Sequence, residues 1–314
     1  MTPDTCYDLA SLTKPFVATA ALRLIAEDKL EFDMRADALV SDVRGTPGGA
    51  ATVESLFTHT SGLSAWGGLY LDVPHDRGTP AARRWMVSEA SRRAEERKPA
   101  TDLYSDLGYI LGGEVVARAC GVSLDKALER EVLGPLGISD GVFYAGALTG
   151  ERRSRLRDAA PPTENCEWRG VTVRGEVHDE NSAALGGVSG HAGLFGNARS
   201  VARLGLELLD VLADRSTFLP RPLLEKALEK RGTNRYRFGW DGKAAEGSSA
   251  GRLISEQAFG HLGFTGTSIW CDPTRGVVVV LLSNRVHPSR ANEKIRGFRP
   301  AFHDGVVAAF DQGC

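Results

Sequence analysis

Apolar residues run almost unbroken through Phe16-Val17-Ala18-Thr19-Ala20-Ala21-Leu22-Arg23-Leu24-Ile25-Ala26. A helix that is apolar nearly all round is predicted to lie inside a protein core rather than on its surface. Further helical patterns fall near residues 53–57, 81–96, 107–119, 124–132, 198–213 and 222–230, with a closing helix over 292–310. After residue 234 the pattern changes. Residues 235–240, 258–271 and 276–283 read as strands, the last containing Val277-Val278-Val279-Val280-Leu281-Leu282 before and after which turn residues cluster. Between them, 144–190 is rich in Arg, Pro and Glu and reads as a long irregular stretch. A helix at the start and strands at the end predict an α/β (α+β) architecture assembled from both termini. We expect one domain over 1–314, with an α/β lobe from 1–34 and 235–314 and a mainly helical lobe, 35–234, inserted between. The cleft between the lobes is the natural site.

Composition narrows the partners. The chain has 314 residues, 42% of them hydrophobic, and 38 Lys plus Arg against 40 Asp plus Glu. Charge so close to balance argues against a nucleic-acid or anionic-membrane partner. The 277–282 run is far shorter than a membrane span, and no signal-peptide pattern opens the chain, so the expected location is cytoplasmic. Cys6, Cys120, Cys166, Cys271 and Cys314 are odd in number, widely spread and without metal-ligand spacing, which predicts reduced structural thiols. The charged run Arg92-Arg93-Ala94-Glu95-Glu96-Arg97-Lys98 reads as a solvated helix face.

Candidate chemistry begins just before the apolar helix, at Ser11-Leu12-Thr13-Lys14. Residues i and i+3 share a helix face, so Lys14 would stand over Ser11, close enough to take or hold its proton. The helix N-terminus adds free N–H groups and a positive partial charge beside the hydroxyl. Ser123-Leu124-Asp125-Lys126 fits the same pattern, but Ser123 opens a polar-faced helix and is simplest as its N-cap. Gly247-Ser248-Ser249-Ala250-Gly251 matches G-x-S-x-G; its flanks are polar and Gly-rich, a surface loop rather than the strand and helix that a nucleophile elbow needs. Two further motifs follow Ser11. Tyr104-Ser105-Asp106 precedes a helical run, and His261-Leu262-Gly263 is placed on one arm of a β-hairpin that turns at Asp272–Gly276.

These three motifs, in this order, resemble the serine β-lactamase and penicillin-binding protein superfamily, specifically its class C-like members and the esterases that share their fold. Leu56-Phe57-Thr58-His59-Thr60-Ser61-Gly62-Leu63, Leu133-Gly134-Pro135-Leu136-Gly137-Ile138 and Gly190-His191-Ala192-Gly193-Leu194-Phe195 look like structural signatures of that group. The resemblance implies an antiparallel sheet flanked by helices, with an acyl-enzyme formed on Ser11. It also implies Lys14 and Tyr104 as catalytic partners and the N–H groups of Ser11 and Phe264 as an oxyanion hole. Asp106, His261 and Gly263 would bind substrate. No cofactor or metal is called for, and the partner is a small ester or amide, including a peptidoglycan-like peptide. A carboxylesterase on small or medium acyl esters is expected first, then a DD-peptidase or weak β-lactamase; a catalytically inactive ligand-binding module is the reading from another class.

Departures from the pattern carry information. Asp106 stands where many relatives have Asn and cannot donate an amide N–H. An ionised carboxylate there would keep Lys14 charged, favouring Tyr104, activated by the lysine cation, as the base. His261 replaces a permanent cation with a group that titrates near neutrality, at the expected rim of the cleft. Relatives usually carry a helix and a strand pair before the S-x-x-K helix; without them the sheet is expected to show an unpaired edge and an uncovered apolar face. His178-Asp179-Glu180-Asn181 and His191 suggest a metal, but no ligand spacing supports it, and a hydrogen-bonded loop shaping the cleft wall is expected instead. His59 is expected to pack a loop.

Overall fold

The computed structural model describes residues 1–95, 102–231 and 234–313. Glu96, Arg97, Lys98 and Cys314, included in the sequence expectations, lie outside the described residues. Among those described, the strands are β1 (Tyr7–Asp8), β2 (Val142–Tyr144), β3 (Asn165–Cys166), β4 (Val171–Thr172), β5 (Leu194–Gly196), β6 (Tyr236–Arg237), β7 (Trp240–Gly242), β8 (Phe259–Leu262), β9 (Ser268–Asp272) and β10 (Val277–Leu281). Strands β6 to β10 form one antiparallel sheet in the order β10-β9-β8-β7-β6, and β1, β5 and β2 a second, with β5 in the middle. The β1–β5 pairing ties residues 7–8 to residues 195–196 and thereby fixes the approach to Ser11.

The expected apolar helix is Thr13–Ala26, and its residues from Thr13 to Leu22 are buried. It packs against the Asp106–Cys120 helix, so the two motif-bearing helices share a core. The turn between β6 and β7 crosses the first helix so closely that a Cβ on Gly239 would come within 2.2 Å of the Ala18 methyl; φ there is +84°. Glycine suits both constraints.

Other elements fall near their expected places: Val53–Phe57, Pro80–Arg92, Asp106–Cys120, Ala198–Leu212, Arg221–Leu228 and Ile295–Asp311 are helical. Leu124–Leu128 continues as a π-helical turn to Leu133. Several expectations need correction. The strand expected over 235–240 is two, β6 and β7, which reverse between Arg237 and Trp240. The helix expected to run on through the charged segment ends at Arg92, and Ala94 bridges Leu63 instead. The 144–190 stretch is not simply irregular, because it holds the helix Gly150–Ala159, the β3–β4 hairpin and the short helix Glu180–Ala184. The single strand expected over 258–271 is a hairpin in itself. It reverses between Leu262 and Ser268, with His261 paired to Ile269. Short polar residues allow that reversal: Thr265 and Thr267 turn their hydroxyls inward, to the carbonyls of Asp8 and Leu9.

β10 forms one edge of the larger sheet, as expected. The apolar face expected to lie uncovered is covered only in part: of β10 only Val279 is buried, and Phe298 and Phe310 of the Ile295–Asp311 helix are exposed. Ala198–Leu212 packs on β9 and β10 on one side, and Ile295–Asp311 meets β10 on the other, where Trp270, Val279 and Val307 form a buried cluster.

Candidate active site

Ser11 is presented by a constrained turn. Asp8, buried at the end of β1, accepts hydrogen bonds from the N–H groups of Ala10 (2.8 Å) and His178 (2.6 Å). Ala10 has φ +48°, an uncommon conformation for a residue with a side chain, and it swings the chain into the short 3-10 turn Ala10–Leu12. Gly263 closes over this turn; a Cβ there would come within 2.6 Å of the Leu9 carbonyl oxygen and 2.0 Å of the Thr267 hydroxyl. The first and third motifs therefore hold each other.

Lys14 is fully buried, and its side chain reaches three acceptors. Nζ donates to Ser11 Oγ at 2.9 Å and to the His191 carbonyl at 3.2 Å, and lies 2.7 Å from Asp106 Oδ1. It also lies 4.8 Å from the Tyr104 ring centroid and 5.5 Å from that of Tyr109. An ammonium so surrounded is a hydrogen-bond donor to the serine oxygen, suited to stabilising negative charge there.

Tyr104 also faces Ser11. Its phenol is pushed well above its usual pKa, first by burial and then by the Asp106 carboxylate; the hydrogen bond with Ser11 acts in the opposite sense. The expected activation of Tyr104 by the Lys14 cation is thus opposed by Asp106, the very carboxylate that pairs with that lysine. The phenol stays protonated at neutral pH.

His59, expected to pack a loop, does so, and the loop it packs is the one that carries Tyr104. The histidine is buried with φ +59°, its Nδ1 accepts from the Ser105 N–H (2.9 Å), and its carbonyl accepts from the Leu103 N–H (3.0 Å). Its ring lies against Tyr104, Tyr109 and Tyr236, with centroids at 4.5, 5.0 and 4.8 Å. Burial, and then Lys14 and His261, hold it well below the ordinary histidine pKa, so it is neutral and a competent acceptor. It clamps the Tyr104 loop from both sides. The sequence signal was its place in Leu56–Leu63, one of the segments that look like structural signatures of the family. Ser105 does the remaining anchoring: it caps the Asp106–Cys120 helix by accepting from Gly108 N–H at 2.9 Å and donates to the Ser64 carbonyl at 2.7 Å.

His261 lines the cleft but is not at its rim; only 2% of it is exposed. Burial first, then Lys14, depress its pKa to about 3. The expectation of a titration near neutrality is therefore corrected. Nδ1 lies 2.9 Å from the Leu262 carbonyl, which can only accept, so that nitrogen bears the proton.

Ser11, Tyr104, Asp106, His261, Gly263 and Phe264 line one cavity of about 740 Å³, with Lys14 buried behind its wall. Phe264 and Trp66 are about half exposed at its mouth. Four arginines that the sequence did not single out also line it: Arg235, Arg285, Arg290 and Arg299. Arg290 is paired with Glu164 (2.6 Å) and Glu180 (2.5 Å), whereas the other three form no ion pair among the described residues. Burial and then Arg285 lower the Arg299 pKa to about 10.

The other candidates fall outside the cavity or play different parts. Ser123 is exposed at the N-cap position, yet its side chain makes no cap bond. Ser249 is on a loop, where its carbonyl bonds His303 Nδ1 at 2.8 Å. The imidazoles and carboxylates of the suspected metal segment are engaged with one another: His178 with Glu164 at 2.8 Å, and His191 with Asp179 at 2.7 Å. Burial opposes ionisation of Asp179, but His191 overrides it and holds that carboxyl below its usual range.

This geometry has known counterparts. The sequence model of the beta-lactamase family matches residues 1–299. The chain belongs to the beta-lactamase family. It is 30% identical over 308 residues to a protein of Escherichia coli (strain K12) named "Putative D-alanyl-D-alanine carboxypeptidase", covering 91% of this chain and 70% of that one. Among solved structures, an octameric penicillin-binding protein homologue from Pyrococcus abyssi superposes with a TM-score of 0.71 at 20% identity, over 98% of this chain and 67% of that one. EstCE1, described as a hydrolase with promiscuous acyltransferase activity, superposes with a TM-score of 0.69 at 20% identity, over 96% and 86%. These two likenesses show the fold. The family and its relatives make this chain a serine hydrolase of the β-lactamase and DD-peptidase type.

Proposed function

We propose that this β-lactamase-family hydrolase forms its acyl-enzyme on Ser11 and cleaves small esters or peptides whose leaving half bears a carboxylate. The observation that carries the substrate reading is the set of cleft arginines without an acidic partner, above all Arg285 and Arg299 beside Phe264. Arg285 donates to the Phe264 carbonyl at 2.8 Å, and Arg299 to the Gly263 carbonyl at 2.6 Å, which aims both at the strand end that faces Ser11. Unpaired guanidinium groups in a partly desolvated cleft favour an anionic ligand. The name of the Escherichia coli relative supports a peptide ending in a free carboxylate.

In this reading Tyr104 works as a neutral phenol. Its oxygen takes the Ser11 proton while its own proton passes to the leaving oxygen or nitrogen, and the Ser11 oxygen bonds to the carbonyl carbon. Lys14 donates to Ser11 Oγ throughout, and the N–H groups of Ser11 and Phe264 receive the carbonyl oxygen as it becomes an oxyanion. Water then attacks the acyl carbon and the same exchange of protons restores Ser11.

A second reading, a carboxylesterase on neutral acyl esters, is favoured by the exposed rings of Trp66 and Phe264 at the cavity mouth. Turnover of 3-carboxyphenyl acetate against phenyl acetate separates the two. We expect kcat/KM to be about tenfold or more higher for the charged ester, one guanidinium–carboxylate contact's worth. Equal turnover supports the neutral esterase. Intact-mass labelling by a fluorophosphonate, and by a penicillin, reports acylation of Ser11 independently.

A further inference from the structure

The two N–H groups read as the oxyanion hole, those of Ser11 and Phe264, belong to segments far apart in the chain, and one buried network joins them. Its centre is Glu164, which stands directly before β3 and is only 6% exposed; its carbonyl accepts from the Val173 N–H at 2.9 Å. Oε1 accepts from the backbone N–H and from Nε of Arg290, both at 2.9 Å. Oε2 accepts from Nη2 of Arg290 at 2.6 Å and from Nε2 of His178 at 2.8 Å. Burial opposes ionisation of Glu164, but Arg290 and then His178 override it and hold the carboxyl at about 2.

Both groups that Glu164 grips lie against the ring of Phe264. The His178 ring stacks on it, with centroids 5.6 Å and planes 25° apart, and the Arg290 guanidinium lies 5.7 Å from its centroid. Phe264 is about half exposed, so burial alone does not hold its ring; neighbours that are themselves fixed must do so. The same histidine reaches the other half of the hole. Its backbone N–H donates to one carboxyl oxygen of Asp8, whose other oxygen accepts from the N–H of Ala10, the residue before Ser11. The Asp8 carbonyl accepts from the hydroxyl of Thr265, the residue after Phe264. Glu164, His178, Asp8 and Thr265 are all buried, where water competes little for these bonds.

We propose that Glu164 is a positioning residue for the oxyanion hole: through His178 and Arg290 it fixes the ring of Phe264, and with it the place of the Phe264 N–H relative to that of Ser11. This rests on the reading that Ser11 forms the acyl-enzyme with those two N–H groups as the hole. Glu164 is not among the residues that line the cavity, so it acts without touching substrate. The oxyanion exists only in the transition state, so loosening its donors lowers kcat and leaves KM nearly alone.

The test is a double-mutant cycle on the full chain with phenyl acetate, read beside inhibition by phenylboronic acid, whose boron bonds Ser11 Oγ and sets an oxygen where the oxyanion would lie. Glu164→Gln keeps the size but turns an amide N–H group against the donors of Arg290 or His178. It should lower kcat by about tenfold, change KM by less than about twofold and weaken boronate inhibition by about tenfold. Phe264→Leu keeps the N–H and removes the gripped ring, and in that background Glu164→Gln should lower kcat by less than about twofold. A loss confined to KM, unchanged boronate inhibition, or an equal effect of Glu164→Gln in both backgrounds overturns the positioning role. Arg290→Gln, at an exposed position, serves if Glu164→Gln does not fold. It should lower kcat and boronate inhibition together by about threefold or more on this uncharged ester, and no change in either overturns the proposal. Absence of fluorophosphonate labelling at Ser11 in the unaltered protein overturns the acyl-enzyme reading and the hole with it; labelling with kcat indifferent to Glu164 overturns the positioning role alone.

Discussion

The chain contains the pattern Ser-Leu-x-Lys twice, at residues 11–14 and 123–126, and the structure treats the two copies oppositely. Both serines stand at the start of a helix. Lys14 is fully buried among a hydroxyl, a carbonyl and a carboxylate, while Lys126 is exposed. Ser123 does not even make the side-chain cap bond that its position invites. A four-residue pattern therefore specifies only that an amine and a hydroxyl share a helix face. Its chemistry comes from what surrounds the face. For Ser11 this is the Asp106–Cys120 helix and the 186–193 loop brought against it; for Ser123 it is water.

The sharpest way to break the comparison is to remove each hydroxyl. Ser11→Ala should lower ester hydrolysis by about a thousandfold or more, and Ser123→Ala and Ser249→Ala by less than about twofold. Retained turnover in Ser11→Ala would sink the assignment. The amines come next. Lys14→Met should reduce kcat by about a hundredfold and destabilise the fold by about 1–3 kcal/mol, since it leaves Asp106 and the His191 carbonyl without their buried donor. Lys126→Met should change neither, as measured by turnover and denaturant unfolding.

A smaller effect is expected one layer out. His59→Ala removes the acceptor of the Ser105 N–H and the ring beneath Tyr104, so kcat should fall by about tenfold or more, alongside a loss of stability read by denaturant unfolding. His59→Gln, which can still accept that bond, should recover part of the loss. If both variants keep full activity, the loop of Tyr104 is held by other means.

The subtlest difference lies in pH. The folded-state pKa of Asp241 is about 6, raised by burial above its ordinary value of 3.8. Across that window the folded protein retains a proton that the unfolded chain has already lost, so stability falls as pH rises from about 4 to 6 and then levels. Asp241→Asn should accordingly raise Tm more at pH ~7.5 than at pH ~4. An equal shift at both would show that Asp241 does not titrate in this way. His261, at about 3, should contribute no inflection to turnover between about pH 5 and 8.

The core helix was legible in the linear pattern because its face depends on neighbours within one or two helical turns, and the motif residues of the cleft were legible from their order and spacing. Ser11, Lys14, Tyr104, Asp106, His261 and Gly263 were named from spacing and resemblance, and they meet in three dimensions. Their electrical states were not legible. A histidine's ordinary pKa suggested a neutral-pH switch at position 261, but the enclosure of its ring between strands and beside Lys14 removes it. Tyr104 was expected to be activated by a lysine, and the carboxylate two residues along, together with burial, opposes this. Arg235, Arg285, Arg299 and Asp241 look like ordinary charged residues of turns and strands, and only the folding of β6–β10 against the Ser11 turn gathers them around one cavity. Local sequence determines which side chains a short segment can present and on which face. Tertiary structure decides which of them lose their water and which charge stands beside them, because desolvation and Coulomb interaction depend on distance through space rather than along the chain.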